Sequence, residues 1–137
     1  MIQEPCWPQR FHHQQLPLHY CADPTLAEQP LFDRARDGEA VALLWQAPQG
    51  FVVPGSYRKF AELPAVSEQF ASRGWPVWQR RSGGGLVPQG PGIVNLSLAW
   101  PVYHSLGEAA EPIYLFLCGL LQRTLSTFGV ASHFQAV

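Results

Sequence analysis

The chain has 137 residues, 47% hydrophobic and 14% charged, enough for one folded core and too apolar for a disordered segment. A formal net charge of −1 supplies no basic field of the kind that draws nucleic acid, although a local pair of arginines can still hold a phosphate. Three cysteines, Cys6, Cys21 and Cys118, cannot all pair within one chain and none stands in a CxxC unit, a pattern that suits a reducing cytoplasm better than a disulfide scaffold.

The first residues are polar and aromatic and carry no signal-peptide pattern. Residues 1–16 show no period and read as irregular; Leu16 to Cys21 is a candidate first strand. Thr25-Leu26-Ala27-Glu28 fits a capping box, in which hydroxyl and carboxylate satisfy the first turn reciprocally. The helix it opens runs to about Asp37 and stops at Gly38, with Pro30 demanding either a kink or a later start. Ala40 to Gln46 is a buried strand and Phe51 to Val53 another; the short Gln49-Gly50 link predicts an antiparallel hairpin.

Pro64 to Ser72 reads as a helix, with Val66 and Phe70 on one face, and Pro76 to Gln79 as a strand. Ile93 to Trp100 alternates, with Val94, Leu96, Leu98 and Trp100 forming an apolar face. Glu111 to Phe128 is a long helix, with Pro112 in its first turn and Gly129 at its stop. Its apolar run, Ile113 to Leu121, has nine residues against the roughly 20 of a bilayer span, so a soluble protein is expected. Helices and strands alternate irregularly, which predicts an α/β fold of the α+β type around a mixed sheet.

The segment with chemistry is Arg80-Arg81-Ser82-Gly83-Gly84-Gly85-Leu86-Val87, between two strands. Bare glycines let a ligand approach main-chain N–H groups, which form an anion-binding concavity, and the arginines add forked donors for carboxylate or phosphate. A P-loop is excluded because the sole lysine is Lys59, and a dinucleotide fingerprint because Pro88 stands where its third glycine belongs. The plain alternative is a turn whose glycines supply geometry alone. His12, His13, His19, Cys6 and Cys21 match no common zinc spacing, so no metal site is expected. The five tryptophans read as packing residues, with Trp78 a candidate to flank the loop.

Arg80 to Val87 followed by Gly92-Ile93-Val94-Asn95-Leu96-Ser97 resembles the signature of the lipoate/octanoate/biotin protein ligase and transferase superfamily, above all lipoate–protein ligase A. In that signature two arginines, a Ser or Thr and three glycines precede a histidine and a G-x-x-N strand. Asp23 to Glu28 resembles the family's first helix entry, and Phe51-Val52-Val53-Pro54-Gly55 its turn. The resemblance implies a mixed, largely antiparallel sheet flanked by helices, like class II aminoacyl-synthetase and biotin-ligase domains. Residues 17–137 would be the N-terminal portion of that catalytic domain, incomplete at the C-terminus.

It further implies a cytoplasmic enzyme that uses ATP, with magnesium, to activate lipoate or octanoate as an acyl-adenylate. The acyl group would pass to a lysine of a lipoyl domain, in 2-oxoacid dehydrogenases or the glycine cleavage H protein, with no nucleic-acid or membrane partner. Carried over by position, Arg80, Arg81, Ser82, Gly83, Gly84 and Gly85 bind the acyl-adenylate, Asn95 supports them, and Gly55 lines the pocket opposite. Val87, Leu96 and Leu98 would supply tunnel or, on the plainer reading, core.

Two departures stand out. Gln89 occupies the histidine position, and an amide does not titrate. The family's transfer lysine lies on a strand after the long helix, and Lys59 stands elsewhere, so no residue here takes the catalytic role and the chain alone is expected to be inactive. The octanoyl transferases of the superfamily also place their cysteine downstream; Cys118 reads as packing. Three readings stay open: ligase, octanoyl transferase, or a non-catalytic acyl-binding module.

Overall fold

The computed structural model describes residues 8, 10–13, 18–102 and 106–134, so most of the irregular segment expected over 1–16 lies outside the described residues. The strands are β1 (His12–His13), β2 (His19–Tyr20), β3 (Val41–Gln46), β4 (Gly50–Val53), β5 (Val77–Gln79), β6 (Val87–Gln89) and β7 (Asn95–Ala99), and the helices α1 (Gln29–Arg36), α2 (Leu63–Ser72) and α3 (Leu106–Thr127). The chain forms two compact units, Pro8–Pro101 with both sheets and a second that holds α3.

β3 is the centre of the first sheet. It pairs antiparallel with β7, from Val41 opposite Ala99 to Trp45 opposite Asn95, and parallel with β1 and β2 on its other edge. Alternation puts Val41, Leu43 and Trp45 on one face of β3, where they pack with Ala27, Leu31 and Ala99. Leu31, 1% exposed, is α1's anchor in this cluster; burying such a side chain contributes about 1.5–3 kcal/mol.

α1 starts later than the Thr25–Glu28 pattern predicts. Residues Pro24–Leu26 form a 3-10 turn whose cap is Asp23, accepting from the Thr25 backbone N–H (2.9 Å) and from its hydroxyl (2.6 Å). With Thr25 and Glu28 otherwise engaged, no reciprocal box forms, and Pro30 falls harmlessly in the first turn of α1.

The expected hairpin of β3 and β4 does not form. β4 belongs to a second sheet, parallel to β5 and antiparallel to β6, and residues 47–49 carry the chain from one sheet to the other. Gly50 explains the path. A Cβ there would lie 2.3 Å from the Trp78 ring and 2.4 Å from the Pro76 carbonyl, so only glycine admits this approach of β4 to β5. Trp78 is thus spent on β4. Phe51 stacks on Trp75 (5.2 Å between ring centres) and meets Phe70 of α2 edge-on, which seats that helix on the second sheet.

β7 inverts the expected facing. Its polar set, Asn95 and Ser97, lies beside Trp45 and Leu43 on the α1 side, while Leu96 is 52% exposed. Asn95 and Ser97 are there to make hydrogen bonds, described below. α3 begins at Leu106 rather than Glu111, so Pro112 is interior. It ends as anticipated: Gly129 has φ +75° and the Gly129 and Val130 amides return to Ser126 and Leu125. Among the described residues no helix is long and apolar enough to cross a membrane.

Candidate functional site

The Arg80 amide donates to the Val53 carbonyl (2.9 Å), continuing the β4–β5 ladder by one rung. Its guanidinium then turns back: Nη1 donates to the Val52 carbonyl (3.3 Å), and Nη2 to those of Gly83 (2.7 Å) and Gly85 (2.9 Å). The glycine loop is wrapped around this side chain. Gly84 has φ +102°, and a Cβ on it would approach Arg80 Nη2 to 3.0 Å; Gly83 and Gly85 have open space instead. Gly55 lies behind the loop, 3.2 Å from the Arg80 carbonyl when given a Cβ, and so backs its main chain.

In front of the loop is a cavity of about 390 Å³. Val52, Val87, Val94 and Leu96 make one wall apolar, although polar atoms form the larger share of the cavity surface. The expectation of core for Val87 and Leu96 gives way here, since both are exposed (39% and 52%) and line the cavity. The other wall is polar and satisfied. Gln89, 3% exposed, donates to Asn95 Oδ1 (3.0 Å), and Asn95 Nδ2 donates back to Gln89 Oε1 (2.8 Å) and to the Trp45 carbonyl (3.3 Å). This pair joins β6 of one sheet to β7 and β3 of the other. Trp45 Nε1 donates to Ser97 Oγ (2.9 Å), and Ser82 Oγ donates to Glu28 Oε2 (2.9 Å), which pins the loop to the start of α1.

Glu28, Arg80 and Ser82 also line a second cavity of about 290 Å³, with Thr25, Gln29, Phe32 and Arg81. The two arginines therefore part. Arg80 organises the loop, whereas Arg81 is exposed, faces the second cavity, and has no hydrogen bond or ion pair among the described residues. Of the residues singled out from sequence, Arg80, Ser82, Gly83, Gln89 and Asn95 meet at the first cavity; Gly84 and Gly85 shape the loop, and Gly55 supports it. Sequence reasoning passed over Glu28, Trp45 and Ser97. Glu28 reads in sequence as a residue of the first helix entry, with no signal that it meets Ser82, and Trp45 and Ser97 pair across 52 positions.

Lys59 stands outside both cavities, its ammonium 5.2 Å from the Phe60 ring centre. Among the described residues no three His, Cys, Asp or Glu side chains gather as metal ligands. Cys21 is half-buried, donates to the Asp23 carbonyl (3.0 Å), and has its thiol pKa pushed up by burial, which makes it a poor nucleophile.

Residues 22–136 match the lipoyl protein ligase A/B catalytic domain. The chain belongs to that family. It is 47% identical over 116 residues to an uncharacterised protein of Cupriavidus necator, covering 85% of this chain and 46% of that one. It is 31% identical over 110 residues to a protein of Aeropyrum pernix provisionally named lipoate-protein ligase A, covering 80% and 39%. The chain thus spans less than half the length of these curated relatives. The fold superposes on protein Ta0514 of T. acidophilum, provisionally named a lipoate protein ligase, with a TM-score of 0.66 and 14% identity over 88% of this chain and 50% of that one. A structure of the same archaeal protein with bound lipoic acid gives 0.61, with 16% identity over 88% and 51%. At such identity the likeness shows the fold, a lipoate-ligase-type mixed α+β architecture.

Proposed function

We propose that this chain binds lipoate or octanoate, as the acyl-adenylate, for transfer to a lysine of a lipoyl domain, itself lacking the transfer lysine. The observation that carries the reading is the first cavity: an apolar wall from Val52, Val87, Val94 and Leu96 facing a loop of the family's signature. Such a wall takes a medium acyl chain by burial of its methylenes, at about 0.8 kcal/mol each. We assign Ser82 and Gly83, which line the same cavity, to the carbonyl end of that chain.

ATP, when bound, supplies the adenylate leaving group. The residues we assign to its phosphate charge are Arg81, a guanidinium without a partner among the described residues, with Thr25 and Gln29 in the second cavity. Lipoic acid bound to the archaeal structural neighbour supports lipoate as the acyl group. Lipoyl domains of 2-oxoacid dehydrogenases or of the glycine cleavage H protein are then the acceptors, in the cytoplasm. An octanoyl transferase or a non-catalytic acyl-binding module would use the same cavity.

The test is calorimetric titration with non-hydrolysable analogues of lipoyl-AMP, octanoyl-AMP and biotinyl-AMP, in the wild type and in Leu96→Arg. Binding of the first two that Leu96→Arg abolishes is the expected result. No binding, or binding indifferent to Leu96→Arg, contradicts the proposal.

A further inference from the structure

We infer that Glu28 is a positioning residue of the first cavity: through the Ser82 hydroxyl it holds the glycine loop in the shape that binds an acyl-adenylate. This rests on the acyl-binding reading above and adds to it a residue outside the signature loop.

The local setting of Glu28 does not call for a glutamate. It stands at the N-cap of α1, where Ser, Thr, Asp and Asn serve best because their short side chains reach the N–H groups of the first turn, and its own side chain makes no capping bond. The carboxylate instead crosses to the loop and accepts from Ser82 Oγ at 2.9 Å, its one hydrogen bond among the described residues. The main chain beneath it is firm. The Glu28 carbonyl accepts from the Leu31 and Phe32 amides (3.0 and 3.1 Å), and Leu31 is buried in the core cluster. Glu28 thereby carries an anchor from the core out to the loop.

The loop needs that anchor. Gly83, Gly84 and Gly85 are exposed, have no side chains to pack, and donate no hydrogen bond to another main-chain group among the described residues. Glycine also has the most conformational freedom to lose on being fixed. Arg80 ties the loop to β4 through the carbonyls of Val52, Gly83 and Gly85, and Ser82 ties it to α1. Glu28 and Ser82 line both cavities, so freeing their contact disturbs both together. A ligand would then have to order the loop out of its own binding free energy, which lowers affinity.

The experiment uses the 137-residue chain and a non-hydrolysable octanoyl-AMP analogue, with titration calorimetry for affinity and amide nitrogen relaxation of the unliganded chain for the loop. Glu28→Ala should weaken the analogue about tenfold and drop the order parameters of Gly83, Gly84 and Gly85 below about 0.6, the flexible range. Glu28→Gln keeps an acceptor for Ser82 and should recover the loop's order, with affinity within about threefold of wild type. Because Glu28 acts through Ser82, adding Glu28→Ala to Ser82→Ala should cost less than about twofold more. Equal losses in Glu28→Ala and Glu28→Gln, or tighter binding in both, would mean that the charge meets the ligand directly and would overturn the inference. An undiminished loss in the Ser82→Ala background overturns it too, as do order parameters unmoved by Glu28→Ala. If the wild type binds no analogue, the acyl-binding reading falls and the affinity role with it, while the order parameters report separately whether Glu28 holds the loop.

Discussion

Replacing Gln89 by leucine removes one half of the amide pair that ties the two sheets together beneath the first cavity. Two hydrogen bonds go, of 3.0 and 2.8 Å, each with a net worth of about 1 kcal/mol. Asn95 is left with an unmatched acceptor and one unmatched donor, which when buried cost about 1–3 kcal/mol; being half-buried and open to the cavity, it regains part of that from water. The leucine itself fits the volume and returns some burial. The balance is a loss of about 2–3 kcal/mol, which at a urea slope of about 1–3 kcal/mol/M moves the unfolding midpoint down by about 0.7–3 M. Urea denaturation followed by tryptophan fluorescence measures it. The pair also predicts non-additivity: Gln89→Leu with Asn95→Leu should cost at least about 1 kcal/mol less than the two singles summed. A single-variant loss under about 0.5 kcal/mol, with an additive double, would refute the claim that this pair clasps the sheets.

The glycine loop should respond unevenly to alanine: Gly84→Ala, at φ +102° and against Arg80, costs about 1–2 kcal/mol and weakens acyl-adenylate binding, whereas Gly83→Ala, with open space, is near neutral in the same denaturation series. Gly50→Ala drives a methyl into Trp78 and Pro76 and should cost about 3 kcal/mol or more, read as a collapse of the thermal midpoint. Glu39 has its carboxyl held low by hydrogen bonds from Arg34, so its contribution is present above the ordinary carboxylate range and is lost as pH falls through the lowered value. Stability of wild type relative to Glu39→Gln should therefore shrink between pH 5 and 2, and a constant difference contradicts it. With Lys59 remote from both cavities, the 137-residue chain by itself should transfer no lipoyl group to a lipoyl domain, checked by mass spectrometry of the acceptor.

Much of this fold was legible because local rules went unopposed. β3 follows from a bounded apolar run, and α2 from Pro64 and the stop at Gly74. Two of the misreadings trace to contacts distant in sequence. The Gln49-Gly50 link reads as a turn until Trp78, 28 positions beyond Gly50, is seen pressing on that glycine. β6 is invisible in sequence because Pro88 and the neighbouring glycines mask a three-residue strand whose ladder partner is the distant β4. Pro112 signals a first turn by rule, yet α3 starts at Leu106 and carries it inside.

The same holds at the site. The loop's composition announced itself, and Arg80, Ser82 and Gly83 line a cavity. What composition could not tell was the division of labour between Arg80 and Arg81, because the carbonyls that engage Arg80 belong to the main chain and carry no residue code. Nor could it reveal Glu28 opposite Ser82, 54 positions away.

The cavity in front of the glycine loop is the centre of this account, and a crystal structure with a non-hydrolysable lipoyl-adenylate tests it most directly. The predicted result is an acyl chain against Val52, Val87, Val94 and Leu96, its carbonyl beside Ser82 and its phosphate toward Arg81. An acyl chain lying elsewhere on the chain, with this cavity filled by water, would contradict it.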